Sequence, residues 1–279
     1  MLALWSLNYI AGKVALRTID PVSLAAFRIE IAAIAMLFVY FAQPSRSRLR
    51  MRDVWTFTYL GFFGVIVNQC LFTIGLNYTT SNHSSLIIAV GPIIILLLAS
   101  AMKLESLTLP KLLGMAISFV GILFLEAEQG SPVHSPFLRG DLLTLAGTIG
   151  FSIFAVLGKR VSAKYDAVSM NTFNCVSAAI LLLPLSIHQA SHIAWNQIGW
   201  QGWAGLVYMA LGSSVAAYTI FYYVLRHMTA SRVGAISYFQ PIAVILLSIV
   251  FFHENPSRNL LLSTALVLLG VYMAERGRT

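Results

Sequence analysis

Charge is what this chain has least of. Only 10% of its 279 residues are Asp, Glu, Lys or Arg, while 58% are hydrophobic. A soluble domain needs roughly 25% charged residues to cover its surface, so a soluble fold is excluded. Acidic residues number only 10. No catalytic carboxylate pair, Ser-His-Asp constellation or glycine-rich phosphate loop is visible, so the chain is not expected to be an enzyme. Cysteine is almost absent. Cys70 and Cys175 fall inside apolar stretches, where a thiol packs as a small hydrophobe, and neither a disulfide nor a metal site is expected of them. The six histidines lack metal-ligand spacing. His188 and His192 stand four apart, but no third ligand is near, and no metal or cofactor is expected.

What the chain does have is long apolar runs. A helix crossing a hydrocarbon core about 30 Å thick needs roughly 20 mostly apolar residues. Such runs recur at 2–18, 22–42, 54–76, 82–101, 110–127, 140–159, 168–188, 200–225, 233–252 and 258–274. Barrel strands would alternate apolar and polar residues, whereas Ile87 to Ala101 and Ala178 to Leu185 are apolar on every face. The longest polar connections, Gln43 to Asp53 and Glu128 to Arg139, are too short to fold alone, so function must sit between the helices.

The net charge of +8 takes its meaning from where the charges stand. With a cytoplasmic amino terminus, the inner connections hold Arg46, Arg48, Arg50, Arg52, Lys103, Lys111, Lys159, Arg160, Lys164, Arg226, Arg232, Arg276 and Arg278. The outer ones hold only Arg17, Arg139 and Arg258. This positive-inside asymmetry places both termini in the cytoplasm with an even number of helices. The run Arg46 to Arg52 is a topology signal that also attracts anionic lipid headgroups, and no nucleic-acid partner is expected. Met1 stands close to Trp5 without a basic flank, which points to a start internal to a longer reading frame. The opening segment lacks the charged region of a signal peptide and reads as a retained helix.

The chain also repeats itself. At an offset of 149, Phe72, Leu76, Thr80, Pro92, Glu105, Gly121 and Glu126 match Phe221, Leu225, Thr229, Pro241, Glu254, Gly270 and Glu275. At an offset of 146, Ser6, Gly12, Lys13, Asp20, Val22, Ser23 and Phe27 match Ser152, Gly158, Lys159, Asp166, Val168, Ser169 and Phe173. Shared hydrophobicity would align Leu with Leu anywhere, but not these Pro and Glu residues in order. A five-helix unit is odd, so its second copy enters from the opposite face. The expected fold is an all-α integral membrane protein of about ten transmembrane helices in two inverted five-helix repeats. These span 1–127 and 140–279 and are joined by an external linker at 128–139. Inverted repeats suit alternating access around one midplane site.

Trp5 to Lys13, Phe27-Arg28, Gly91-Pro92, Glu105, Pro241 and Glu254 together resemble the EamA family of the drug/metabolite transporter superfamily. The resemblance covers nearly the whole chain. It implies a ten-helix transporter of the bacterial inner membrane, commonly an exporter of amino acids or related metabolites, with a central cavity between its halves. An uptake carrier or exchanger of the same fold, or a non-transport membrane assembly protein, is the alternative. The expected partners are a small-molecule solute and the lipid bilayer. The superfamily's small multidrug members carry an acidic proton site in their first helix, whereas this helix offers Asn8 and Lys13 and no carboxylate.

The candidate cavity residues follow from polarity inside apolar spans. Pro92 and Pro241 interrupt the fourth and ninth helices and free backbone carbonyls. These either line the cavity or are packing kinks satisfied by Ser84, Ser85 or Ser237. Asn68 and Gln69 are polar at mid-depth in the third helix. Ser214, Tyr218 and Tyr222 share one face of the eighth, and Ser237 and Gln240 stand three apart in the ninth. They line a cavity or bond between helices. Trp5 and Asn8 are candidates from the first helix. An intramembrane charge costs roughly 2.5–3.5 kcal/mol at mid-helix, so Arg28 and Glu30 each need a reason. Arg28 either holds a solute carboxylate or makes a structural contact. Glu30, read as the sole carboxylate well inside a span, is the candidate proton site. Glu105 and Glu254 read as helix-end structure.

Overall fold

The computed structural model describes residues 1–44, 46–103, 108–127, 136–228, 230–253 and 256–276. Their fold is all-helical, with ten helical segments. These are α1 (Leu2–Ala15), α2 (Pro21–Ala42), α3 (Met51–Tyr78), α4 (Ser81–Ala101), α5 (Leu109–Ala127), α6 (Leu138–Val161), α7 (Ala167–His192), α8 (Trp200–His227), α9 (230–252) and α10 (Arg258–Arg276). By length and composition α2, α3, α4, α6, α7 and α8 can each cross a membrane. The apolar stretches of α5, α9 and α10 are shorter, and α1 has 14 residues. Glu105, Glu254, Ser131 and Thr279 lie outside the described residues.

Local chemistry sets the boundaries, and the two halves use the same devices. Asp20 caps α2 by accepting the N–H groups of Val22 and Ser23, and Asp166 caps α7 by accepting that of Ser169. Lys13 Nζ donates to the Thr79 carbonyl at the end of α3. Lys159, its match at the offset of 146, donates to the Leu225 and Arg226 carbonyls at the end of α8, at 2.8 and 3.3 Å. Both lysines satisfy carbonyls that a helix C-terminus leaves unpaired. In α3 the backbone widens into π-helical turns over Phe62–Cys70, and α8 does the same over Tyr208–Ala217. The turn at Ala89 and Val90 interrupts α4 just before Pro92, and a 3₁₀ turn, Ile236–Phe239, interrupts α9 just before Pro241. Each proline occupies the first turn of the resumed helix, where its missing N–H leaves no bond unmade.

Packing follows the same plan. Helices α2 and α7 pair along their lengths, as do α5 and α10; α1 lies against α8 and α9, and α6 against α3 and α4. Small residues allow the close approaches that membrane helices need in place of a hydrophobic drive. Gly121 and Gly270 face each other's helices across the α5–α10 contact, where Ser118 Oγ donates to the Val267 carbonyl at 3.2 Å. Large apolar side chains such as Phe38, Ile180, Leu246 and Val250 are exposed on the outside of the bundle, where a bilayer would cover them. Residues 46–53 lie at one end of the bundle. There the Ser47 N–H donates to Asp166 at 3.0 Å and Tyr165 donates to Asp53 at 2.8 Å. This end is called the basic-loop end below, and the opposite one the far end.

Candidate functional site

Within the helical bundle lies a cavity of about 70 Å³. Its wall combines α1 (Trp5, Asn8, Tyr9), Arg28 of α2, α3 (Asn68, Gln69, Phe72), α4 (Ile88, Gly91, Pro92, Ile95), α6 (Thr148, Phe151), α8 (Ser213, Tyr218) and α9 (Gly234, Ser237, Gln240). The widened turns of α3 and α8 carry Asn68, Gln69 and Ser213 to this wall. The two proline interruptions deliver Gly91 and Pro92 from α4 and Ser237 and Gln240 from α9. Aromatic rings bound the cavity on two sides. Trp5 meets Tyr218 edge-on at 5.4 Å and Phe151 at 5.9 Å, and Tyr9 meets Phe72 at 5.1 Å.

Arg28 is the ionised side chain of this wall, only 1% exposed. Its guanidinium donates to Thr73 Oγ1 at 3.2 Å, Ser214 Oγ at 3.1 Å and the Met209 carbonyl at 3.4 Å. All three acceptors are neutral. Nε has no partner, and no carboxylate neutralises the charge among the described residues. Ser214 Oγ in turn donates to Gln69 Oε1 at 2.7 Å, and Tyr218 donates to Asn68 Oδ1 at 2.7 Å. Asn68 is held in turn by its Nδ2 on the Gly147 carbonyl at 3.0 Å. Three more polar atoms of wall residues are buried without partners: Asn8 Oδ1, the Tyr9 hydroxyl and Gln240 Oε1. The cavity therefore combines one uncompensated cation, unused hydrogen-bonding atoms and aromatic faces. Each such atom carries a desolvation penalty until something bonds to it.

Nine sequence candidates share this wall: Trp5, Asn8, Arg28, Asn68, Gln69, Pro92, Tyr218, Ser237 and Gln240. Ser214, Tyr222 and Pro241 are not on it. Ser214 stands behind it as the link from Arg28 to Gln69. Tyr222 is fully buried with its ring against Phe154 at 5.6 Å, and Pro241 is buried at the restart of α9. The widened backbone of α8 breaks the four-residue register that the sequence pattern assumed. Neither Ser84 nor Ser85 serves the α4 interruption; Ser84 faces Thr144, and Ser85 donates to the Asn82 carbonyl.

Glu30 is also away from the wall. It is half-buried between α2 and α7, accepting from Ser186 Oγ at 2.7 Å. A further carboxylate is buried at a helix end: Asp141, in the first turn of α6, is only 4% exposed. The rings of His188 and His192 lie 4.4 Å apart, tilted against each other, on an exposed helix end, and no group of three metal-ligating side chains occurs among the described residues. Tyr9, Thr148 and Phe151 were missed from sequence. Tyr9 follows four residues after Trp5, and Thr148 continues a row of hydroxyls with Thr144 and Ser152, so helical spacing alone could have found both.

The EamA-like transporter family matches residues 1–126 and 138–275. An uncharacterized transporter of Archaeoglobus fulgidus is 25% identical over 276 residues, covering 98% of this chain and 95% of that protein. The uncharacterized transporter YyaM of Bacillus subtilis is 28% identical, over 92% of this chain and 85% of its own. A WAT1-related protein of Arabidopsis thaliana is 21% identical over 90% of this chain and 74% of its own. A solved crystal structure shares the fold with a TM-score of 0.71 at 18% identity, covering 99% of this chain and 94% of that one. Family match and helical architecture agree: the chain is a multi-pass membrane protein that belongs to the EamA-like transporter family.

Proposed function

We propose that this protein is an alternating-access secondary transporter that carries a small carboxylate-bearing organic solute through the central cavity, with Arg28 as the carboxylate anchor. The observation that carries this reading is the buried, uncompensated guanidinium on the cavity wall. A buried charge is tolerated when it is paired, and a bidentate carboxylate matches an arginine's planar donors. The partnerless Asn8, Tyr9 and Gln240 atoms suit the rest of a polar metabolite. Outward movement of the solute is the direction that the family resemblance favours.

Alternating access rests on reading the halves, 1–127 and 140–279, as inverted five-helix repeats joined by residues 128–139. Supporting it are the offset matches, the paired caps Asp20 and Asp166, the paired lysines Lys13 and Lys159, and the widened turns at equivalent places in α3 and α8. The exchange of partners between α1 with α8 and α6 with α3 agrees with the same two-fold relation. The orientation follows the basic charges: the basic-loop end and both termini lie in the cytoplasm of a bacterial cell, and the far end lies outside.

The test is flux. Purified protein in liposomes is loaded with carboxylate solutes, amino acids among them, and with their neutral amide analogues. Wild type is expected to prefer the carboxylates. Arg28→Gln removes charge-assisted bonds of about 1.5–3 kcal/mol, which corresponds to a roughly 10- to 150-fold loss of carboxylate affinity with little change for neutral analogues. Equal loss for both classes in folded protein would reduce Arg28 to a structural role.

A further inference from the structure

A second polar cluster lies at the far end, away from the cavity wall. Asp141, in the first turn of α6, and His83, in the first turn of α4, are 4% and 6% exposed. His83 Nδ1 stands 3.3 Å from one carboxylate oxygen, and Thr79 donates its hydroxyl to the other. We propose that His83 and Asp141 form a proton-binding site that couples proton uptake from the far side to the opening of that end of the transporter. This rests on the transport reading above.

Three observations carry it. The first is chemical. A carboxylate in a membrane bundle needs compensation, and here its nearest titratable neighbour is histidine, the side chain whose ordinary titration falls between about pH 5 and 8. The pair accepts one proton from outside water, and the form that opens this end is the one in which Asp141 carries it, with the neutral imidazole of His83 beside it. The second is an asymmetry between the repeats. At the offset of 149, Thr80 matches Thr229, and the position of His83 holds Arg232 in the second half, a permanent cation. The titratable version stands at the far end only.

The third is mechanical. Asp141 follows Gly140, whose α-carbon faces the Gly75 oxygen, the Thr79 nitrogen and the Tyr78 carbonyl carbon so closely that a Cβ would lie 2.7 Å from each. Among the glycines of α3 and α6 this is the closest approach to backbone atoms across the two helices. Thr79 ties it together, because its hydroxyl binds Asp141 and its carbonyl receives Lys13 from α1. A proton on Asp141 weakens that carboxylate as an acceptor for Thr79 and so loosens the joint between α1, α3 and α6. The same helices carry Asn8, Gln69 and Thr148 on the cavity wall. The other described charges at this end do not touch the pair. Lys13 of α1 is engaged at Thr79, Arg139 of α6 lies over the Tyr78 ring at 4.2 Å, and Arg17, Asp20 before α2, His188 and His192 of α7, His253 after α9 and Arg258 of α10 are exposed; Lys111 of α5 is at the opposite end.

The test needs no knowledge of the solute. Infrared difference spectra of the protein in lipid, taken between about pH 8 and pH 5, should show a protonation change that is lost in Asp141→Asn and altered in His83→Gln. Both variants must remain monodisperse, and Asp141→Glu should restore the signal if packing is preserved. Spectra of folded Asp141→Asn identical to wild type would overturn the site. In liposomes, wild-type flux should change several-fold with far-side pH, and folded Asp141→Asn should flatten that profile. A titrating pair with pH-independent wild-type flux would overturn the coupling. Absence of flux with every solute would instead defeat the transport reading, while the infrared result would still decide the proton site.

Discussion

Replacing Gly140 by alanine tests the α3–α6 crossing directly. The added Cβ would lie 2.7 Å from three backbone atoms: the Gly75 oxygen, the Thr79 nitrogen and the Tyr78 carbonyl carbon. Backbone cannot rotate out of the way as a side chain can, so the two helices must separate by about 0.7 Å to reach ordinary contact. Overpacking of this kind costs about 1–3 kcal/mol. The displacement also draws Asp141 away from Thr79. For a chain of this size each kcal/mol moves the melting midpoint by roughly 2–4 °C, so a fall of roughly 2–12 °C is expected. Gly158→Ala, on the same helix, is the control. Its Cβ meets Leu225 Cδ2 at 3.6 Å, an ordinary contact, and the variant should melt within about 2 °C of wild type. The assay is thermal challenge in detergent, with the surviving monodisperse fraction measured by size exclusion. If Gly140→Ala melts with wild type, or both variants fall equally, the crossing is not as tight as described and the joint assigned to Thr79 has no mechanical basis.

Tyr218→Phe keeps the ring against Trp5 and removes the bond to Asn68. It should cost about 0.5–1.5 kcal/mol of stability and, if Asn68 orients solute, reduce transport by more than the thermal shift explains; parallel losses would assign Tyr218 to packing. Asp166, just outside α7, is held down to about 2: burial pushes its pKa up, but hydrogen bonds from Ser169 and Ser47 outweigh that. Its ionised form therefore stabilises the fold above the ordinary value near 3.8, and this contribution fades as pH falls from there through about 2. Asp166→Ala should lower stability by about 0.5–2 kcal/mol at neutral pH, and its difference from wild type should shrink in melts below about pH 4; a difference that stays constant would show that the carboxylate charge is not involved. Reporter fusions at Thr279 and within Arg46 to Arg52 should read cytoplasmic and one at Ser131 external. An external Thr279 would reverse the orientation.

The sequence by itself determined the membrane class, the helix boundaries to within a few residues and the family. These follow from composition, from the length of apolar runs and from capping residues such as Asp20 and Asp166, all of which act locally. It also marked half of the cavity wall, because a polar residue inside an apolar span is conspicuous without knowing what it faces. Tertiary structure alone decided which polar residues share a space. Trp5 and Gln240 share the cavity wall only because α1 and α9 converge, and the widened turn in α8 leaves Ser214 behind the wall while Tyr218 reaches it. It likewise moved attention from Glu30, which faces Ser186 between α2 and α7, to Asp141. From sequence Asp141 is an ordinary helix-end acid, in a region where such residues meet water. Only the close crossing of α3 and α6, with His83 brought in by α4, removes that water and turns it into a buried charge whose protonation has a structural consequence.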